Sequence, residues 1–157
     1  MSLYIFDKDK TLVGPLEGPP ANSIEEQHLL PGVAEKCAEL RGQGHTLVIA
    51  SNQGGVAWGF LTEDEAYALV GHAARLIGAK AIAMCPHHPK GKIEQYAIEC
   101  PRRKPAPGML LDLMRQLGFH ASRTIYIGDM ESDREAAKAA GVKFVWAKDF
   151  FMKGGEK

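Results

Sequence analysis

The chain has 157 residues, 45% of them apolar and 24% charged, which suits one domain that buries its core without disulfide staples. Nineteen basic side chains balance nineteen acidic ones, and a formal charge of zero argues against bulk attraction to nucleic acid or an anionic membrane, though not against a local basic patch. No apolar run approaches a membrane span, Leu3–Phe6 is too short for a signal-peptide core, and three cysteines do not suggest a disulfide framework, so a reducing cytoplasm is the expected location.

Along the chain, Leu3 to Phe6 reads as a short buried strand, and the Gly- and Pro-rich stretch Gly14 to Asn22 as a loop. After Pro31-Gly32, the residues Val33, Cys37 and Leu40 recur at helical spacing until Gly42 and Gly44 stop the helix. Cys37 lies on that apolar face and is expected to be a buried apolar residue. Thr46 to Ala50 is β-branched and apolar, a second strand. Thr62 with Glu65 resembles a capping box, opening a helix whose apolar face is Ala66, Leu69, Val70, Ala73, Leu76 and Ile77. Ala81 to Met84 is a third strand. Pro107 starts a helix that buries Leu110, Leu113, Met114 and Leu117, and Gly118 ends it. Thr124 to Ile127 is a strand, Ser132 or Asp133 caps a helix running to Ala140, and Val142 to Trp146 is the last strand. Residues 153–157 are polar and expected to fray.

This alternation predicts an α/β, Rossmann-like parallel sheet with helices on both faces, in a single domain over residues 1–157. Ligands of such folds sit beyond the carboxyl ends of the strands, so site residues should directly follow strands. Few polar residues pass that test. Asp7 and Asp9 follow the first strand, Ser51, Asn52 and Gln53 the second, and Gly128-Asp129 with Asp133 the fourth. Lys104 stands shortly before the Pro107 helix.

These types suit phosphoryl chemistry. Magnesium takes oxygen ligands, which Asp7 and Asp129 can supply, and it relieves the repulsion between a carboxylate nucleophile and a phosphate. Asp7 can divide hydrolysis into two displacements, Asp9 can protonate the leaving oxygen and later activate water, and Lys104 and Ser51 can hold phosphate oxygens. Singly, these residues are also solvated turn residues, a helix cap and a surface lysine. Their joint order after successive strands argues for a site.

Asp7-Lys8-Asp9-Lys10-Thr11, Ser51, Lys104 and Gly128-Asp129 with Asp133 resemble, in order, the four motifs of the haloacid dehalogenase superfamily of phosphohydrolases. The resemblance implies Asp7 as nucleophile and Asp9 as general acid/base. It implies magnesium held by Asp7, Asp129 and the main-chain carbonyl of Asp9, with Asp133 as a partner behind the metal, and Thr11, Ser51 and Lys104 around the phosphate. The family's glycine before Thr11 is here Lys10. Pro31-Gly32-Val33, Ser51-Asn52-Gln53-Gly54-Gly55-Val56, Cys85-Pro86-His87-His88-Pro89 and Arg103-Lys104-Pro105 are similar to the capless branch of heptose-bisphosphate and histidinol-phosphate phosphatases. That branch implies a small phosphorylated substrate, first among them D-glycero-D-manno-heptose 1,7-bisphosphate, with Asn52, Gln53 and Arg103 beside it.

Two departures stand out. The branch has an arginine where this chain has Trp58, which is either a stacking surface for substrate or an aromatic that packs its loop. The branch also carries a zinc loop, of which Cys85, His87 and Cys100 are present while Arg102 stands in the fourth position. A structural zinc wants four closed ligands. His88 or water can complete the shell, or the loop has kept its shape without Zn2+. Two other readings compete with a sugar phosphatase. One is a nucleic-acid 3′-phosphatase, which the neutral charge disfavours. The other is a receiver-like phosphoaspartate signalling domain, which a positioned Asp9 disfavours. A monomer is expected.

Overall fold

The computed structural model describes the backbone of residues 1–155 and the side chains of residues 1–151. Five strands form one parallel sheet: β1 (Leu3–Phe6), β2 (Thr46–Asn52), β3 (Ala81–Cys85), β4 (Thr124–Gly128) and β5 (Lys143–Trp146), in the order β3-β2-β1-β4-β5. The central strands are buried on both faces, which is why they read as near-continuous apolar runs. Alternate residues go to opposite cores. Phe6, Leu47, Ile49 and Ile127 pack under α1 (Val33–Gly42), α3 (Glu63–Ile77) and α6 (Ala147–Gly155). Leu3, Ile5, Val48, Ala50 and Tyr126 pack under α4 (Gly108–Leu117) and α5 (Glu131–Ala140). Each fully buried large aliphatic side chain contributes about 1.5–3 kcal/mol.

The start of α3 follows its sequence signal. Thr62 Oγ1 accepts from Glu65 N–H at 3.1 Å and the Glu65 carboxylate accepts from Thr62 N–H at 2.8 Å, the expected reciprocal cap of α3. Three expectations need correction. Leu76 is 41% exposed, because the buried stripe of α3 drifts through Ala74 to Ile77 and leaves Leu76 on its flank. Leu117 is half-buried at the end of α4. Neither Ser132 nor Asp133 occupies the N-cap of α5; Met130 does, and Asp133 satisfies the helix start from inside the first turn. Two helices escaped the sequence reading, the single turn α2 (Gly55–Trp58) and α6 after β5. The stretch 153–157, expected to fray, runs from the end of α6 to beyond the described residues.

The parallel register aligns the carboxyl ends of the strands. Phe6 pairs with Ile49 on one side and with Ile127 on the other, so Asp7 emerges level with Ala50 and Gly128. Asp7 N–H continues the ladder to the Ile127 carbonyl at 2.9 Å. Between β2 and Lys104 lie only α2, α3, β3, a short 3-10 turn and loops, so among the described residues no cap domain covers this edge.

Candidate active site

Asp7 sits at the floor of a cavity of about 150 Å³ lined also by Asp9, Asn52, Lys104, Asp129 and Asp133. Its two oxygens have different partners. Oδ1 accepts from Lys104 Nζ at 2.9 Å, and Oδ2 accepts from the Thr11 hydroxyl at 3.2 Å. Burial pushes the Asp7 carboxyl well above its ordinary value of 3.8, with Lys104 pulling the other way and Asp133 adding to the rise. Lys104 is 3% exposed, and burial opposes its charge. Asp7 and Asp133 outweigh that burial and hold the ammonium above its ordinary 10.5.

Asp133 ties the network to the backbone. Its Oδ2 accepts from the N–H groups of Asp129 and Met130 at 3.1 and 3.0 Å, and its Oδ1 accepts from Lys104 Nζ at 2.7 Å. A Cβ on Gly128 would lie 2.5 Å from the Asp133 Cβ, so only glycine at 128 lets the two segments close. Carboxylate atoms of Asp7, Asp129 and Asp133 lie within 4.8 Å of one another. The Lys104 ammonium pairs with Asp7 and Asp133, and the charge left on an all-oxygen donor set suits a small hard dication. Thr11 Oγ1, 3.2 Å from Asp7 and 3.4 Å from Asp129, spans the gap between the two carboxylates.

Asp9 reaches the same cavity, with both oxygens held. Oδ2 accepts from Gln53 Nε2 at 3.1 Å, and Oδ1 accepts from Lys8 Nζ at 2.7 Å. Lys8 is fully buried, its ammonium also donating to Gln27 Oε1 at 2.8 Å, while the Gln27 amide donates to the Leu69 carbonyl at 2.9 Å. Lys8 and Gln27 were missed in the sequence. A lysine between two aspartates reads as a solvated turn residue, and the one available signal is its place two residues after a mostly buried strand. Tyr126 was missed likewise, because a tyrosine inside an apolar strand reads as core.

The remaining expected site residues divide in two. Ser51 is 1% exposed and its hydroxyl accepts from Gln53 Nε2 at 2.7 Å, so Gln53 links Ser51 to Asp9. Asn52 clamps the Lys104 backbone, its Nδ2 donating to the Lys104 carbonyl at 3.1 Å and its Oδ1 accepting from Lys104 N–H at 3.0 Å. Arg103 stands farther out, donating to the His87 carbonyl at 3.3 Å with its guanidinium over Gly54. Trp58 is half-buried and meets the His88 ring edge-on at a centroid distance of 5.4 Å. Lys10 takes φ 68°, the left-handed region that favours glycine.

The loop after β3 brings Cys85, His87 and Cys100 together, with ligand atoms within 4.8 Å of one another and Cys85 Sγ 3.7 Å from His87 Nδ1. Burial pushes the Cys85 thiol up to about 11. His88 is turned away toward Trp58 and accepts from Lys90 N–H at 3.1 Å. Arg102 offers no ligand: its Nη1 donates to the Met84 carbonyl at 3.4 Å. Its Nε lies 3.2 Å from Asp112 Oδ2, an ion pair whose N–H points off the oxygen.

Residues 96–147 match the family described as haloacid dehalogenase-like hydrolase. The chain is 40% identical over 125 residues to D-glycero-beta-D-manno-heptose-1,7-bisphosphate 7-phosphatase of Rhodopseudomonas palustris, an alignment covering 75% of this chain and 68% of that one. It is 35% identical over 142 residues to the protein of the same name from Photorhabdus laumondii, covering 87% and 74%. Among solved structures it is similar to D,D-heptose 1,7-bisphosphate phosphatase from B. bronchiseptica complexed with magnesium and phosphate, with a TM-score of 0.78, 30% identity, and coverage of 92% of this chain and 79% of that one. With this sheet order and this likeness, the chain belongs to the haloacid dehalogenase-like hydrolases, in the branch of the heptose-bisphosphate phosphatases, and it is a phosphatase.

Proposed function

We propose that this phosphatase hydrolyses the phosphomonoester of a small sugar phosphate, with a heptose 1,7-bisphosphate the first candidate, through a phosphoaspartate on Asp7. The observation that carries the reading is the Asp7 carboxylate in a cavity that Asp9, Lys104 and Asp129 also line. In the first displacement an Asp7 oxygen attacks phosphorus, the bond to the sugar oxygen breaks, and protonated Asp9 gives that oxygen its proton. In the second, Asp9 takes a proton from water, the water oxygen attacks phosphorus, and the bond to Asp7 breaks, releasing phosphate and restoring the carboxylate. Lys104 and the Ser51 hydroxyl hold the phosphate oxygens, and Thr11 steadies the free Asp7 oxygen. Asp7 and Asp129 would hold magnesium, together with the Asp9 carbonyl, and Asp133 orients Asp129 through its backbone. When bound, the ion screens the charge that builds on the phosphoryl oxygens.

Arg103, with its forked donors, is the side chain suited to the substrate's distal phosphate or hydroxyls. Cys85, His87 and Cys100 would hold a structural zinc with water as the fourth ligand, since the two thiols and one imidazole within 4.8 Å suit its tetrahedral preference. Three unpaired cysteines fit a reducing cytoplasm. The neutral net charge keeps nucleic acid a poor fit.

The test is phosphate release from heptose 1,7-bisphosphate, histidinol phosphate, other sugar phosphates and a 3′-phosphorylated oligonucleotide, with magnesium and with chelator. Chelator-sensitive release from one sugar phosphate, lost in Asp7→Asn, is the expected result. Preference for the oligonucleotide, or a phosphoaspartate stable for minutes without turnover, would overturn the substrate or the hydrolytic reading respectively.

A further inference from the structure

The Lys104 ammonium has three protons and four oxygens around it. Asp133 Oδ1 lies at 2.7 Å, the Tyr126 hydroxyl at 2.6 Å, Asp7 Oδ1 at 2.9 Å and the Ala50 carbonyl at 3.1 Å. Every one of its N–H bonds is therefore engaged before any phosphate arrives, and the side chain is 3% exposed. To hold a phosphate oxygen, Lys104 must give up one present acceptor. An acceptor abandoned in a buried site keeps its desolvation cost uncompensated unless another donor covers it.

Tyr126 is the donor that can cover it. Its hydroxyl is fully buried and donates to Asp133 Oδ1 at 2.7 Å, with the Ala50 carbonyl farther off at 3.5 Å. A carboxylate offers about four lone-pair positions. Asp133 fills them with four donors: the two N–H groups on Oδ2, and Lys104 and Tyr126 on Oδ1. If Lys104 turns one N–H to phosphate, the Tyr126 proton keeps Asp133 Oδ1 paired. Without that hydroxyl, Asp133 Oδ1 has Lys104 alone and holds it.

We infer that Tyr126 is a positioning residue that frees Lys104 to bind the substrate phosphate, by supplying Asp133 with a second donor. It acts through Lys104 and Asp133 and does not touch substrate. The inference rests on the proposed role of Lys104 as a phosphate holder. It concerns affinity for the phosphoryl group rather than the chemistry of its transfer, so its signature is a split between kcat and KM.

The experiment compares wild type with Tyr126→Phe in two measurements. One is calorimetric titration of the magnesium-loaded protein with inorganic phosphate. The other is steady-state kinetics on the best sugar phosphate of the panel. The expected result is weaker phosphate binding and a higher KM by the same factor, roughly tenfold, which equals about 1.4 kcal/mol, with kcat changed less than about threefold. Unchanged phosphate affinity and KM, with only a lower melting temperature, would assign Tyr126 to the core alone and overturn the inference. Wild type that binds phosphate but hydrolyses nothing would instead overturn the proposed function, and the calorimetric arm would still decide the role of Tyr126. Should Tyr126→Phe not fold, the Tyr126 Cζ resonance is followed in wild type labelled with 13C at tyrosine Cζ, assigned by replacing Tyr4, Tyr67 and Tyr96. A shift on adding phosphate to the magnesium-loaded protein is expected, and a fixed resonance overturns the inference.

Discussion

At the strand ends, the carboxylates of Asp7 and Asp133 meet a buried ammonium, two backbone N–H groups and two hydroxyls, all within 3.2 Å. In the loop after β3, Cys85, His87 and Cys100 meet one another and no buried ammonium, and the Arg102 side chain pairs elsewhere. The first cluster is organised by the protein's own donors before a metal enters, so a cation there changes charge more than shape. The second is fastened through its backbone, by Arg103 on the His87 carbonyl and Arg103 N–H on the Cys100 carbonyl, but its ligand atoms meet only one another among the described residues. The strand-end cluster should therefore survive metal removal, while the thiol cluster should depend on it for its geometry.

The sharpest way to break this contrast is at Asp7. If Asp7 is the nucleophile proposed above, Asp7→Asn should lower phosphate release by at least about 10⁴-fold. The fold should not suffer. Burial raises the Asp7 pKa, so the folded state favours the protonated form. That contribution to stability is complete below the ordinary value of 3.8 and is lost as pH rises through the raised folded value. In metal-free buffer at pH 7 the Asn variant should melt above wild type, with the gap closing toward pH 3. A variant that melts well below wild type would mean Asp7 is held by its ion pair rather than strained by burial.

Next in size is Lys104→Met, which strands Asp7 and Asp133 and should cost about 3–5 kcal/mol in urea unfolding at pH 7. A loss below about 1 kcal/mol would show that the cluster does not depend on its ammonium. The thiol cluster gives the third test. Adding zinc to metal-stripped protein at about a hundred times its Kd should stabilise wild type by about 2.7 kcal/mol and leave Cys100→Ser unmoved. Equal response of the two chains would place the zinc elsewhere. Cys37 serves as an internal control, because burial pushes its thiol up to about 12 and it should resist alkylation whether or not metal is present. The smallest effect belongs to Lys10→Gly. Its φ of 68° costs a lysine about 1–2 kcal/mol, and the flexibility of an unfolded glycine offsets part of that, so a gain of under about 1 kcal/mol is expected.

The sequence disclosed what depends on spacing along the chain and hid what depends on neighbours across it. Asp7, Ser51 and Asp129 were legible because each follows an apolar run, and the parallel register then brings them to one edge. The parallel sheet with a core on each face follows from the same alternation, whereas the strand order is seen only in the structure. Lys8, Gln27 and Tyr126 were not legible, because their polar atoms find partners that are 19, 42 and 22 residues away, and a side chain's burial is not written in its own neighbourhood. Asn52 lines the Asp7 cavity, and what the sequence does not show is that its amide also clamps the Lys104 backbone from 52 residues away. The helix α6 was passed over because Ala147-Lys148-Asp149 carries no stronger signal than a tail, and its packing comes from Phe150 and Phe151 against Tyr4 and Phe6.

The cavity above Asp7 holds only about 150 Å³. An inhibitor that places a phosphate mimic there meets Asp7, Lys104 and Asp133 with its head group. Such a head group would meet a similar cradle in any enzyme with this strand-end arrangement, and would tell them apart poorly. Selectivity would have to come from the rest of the lining, where Pro20 and Met130 are exposed to solvent. For a chemist, the molecule is thus a shared socket with a private rim, and the rim is the part worth screening against.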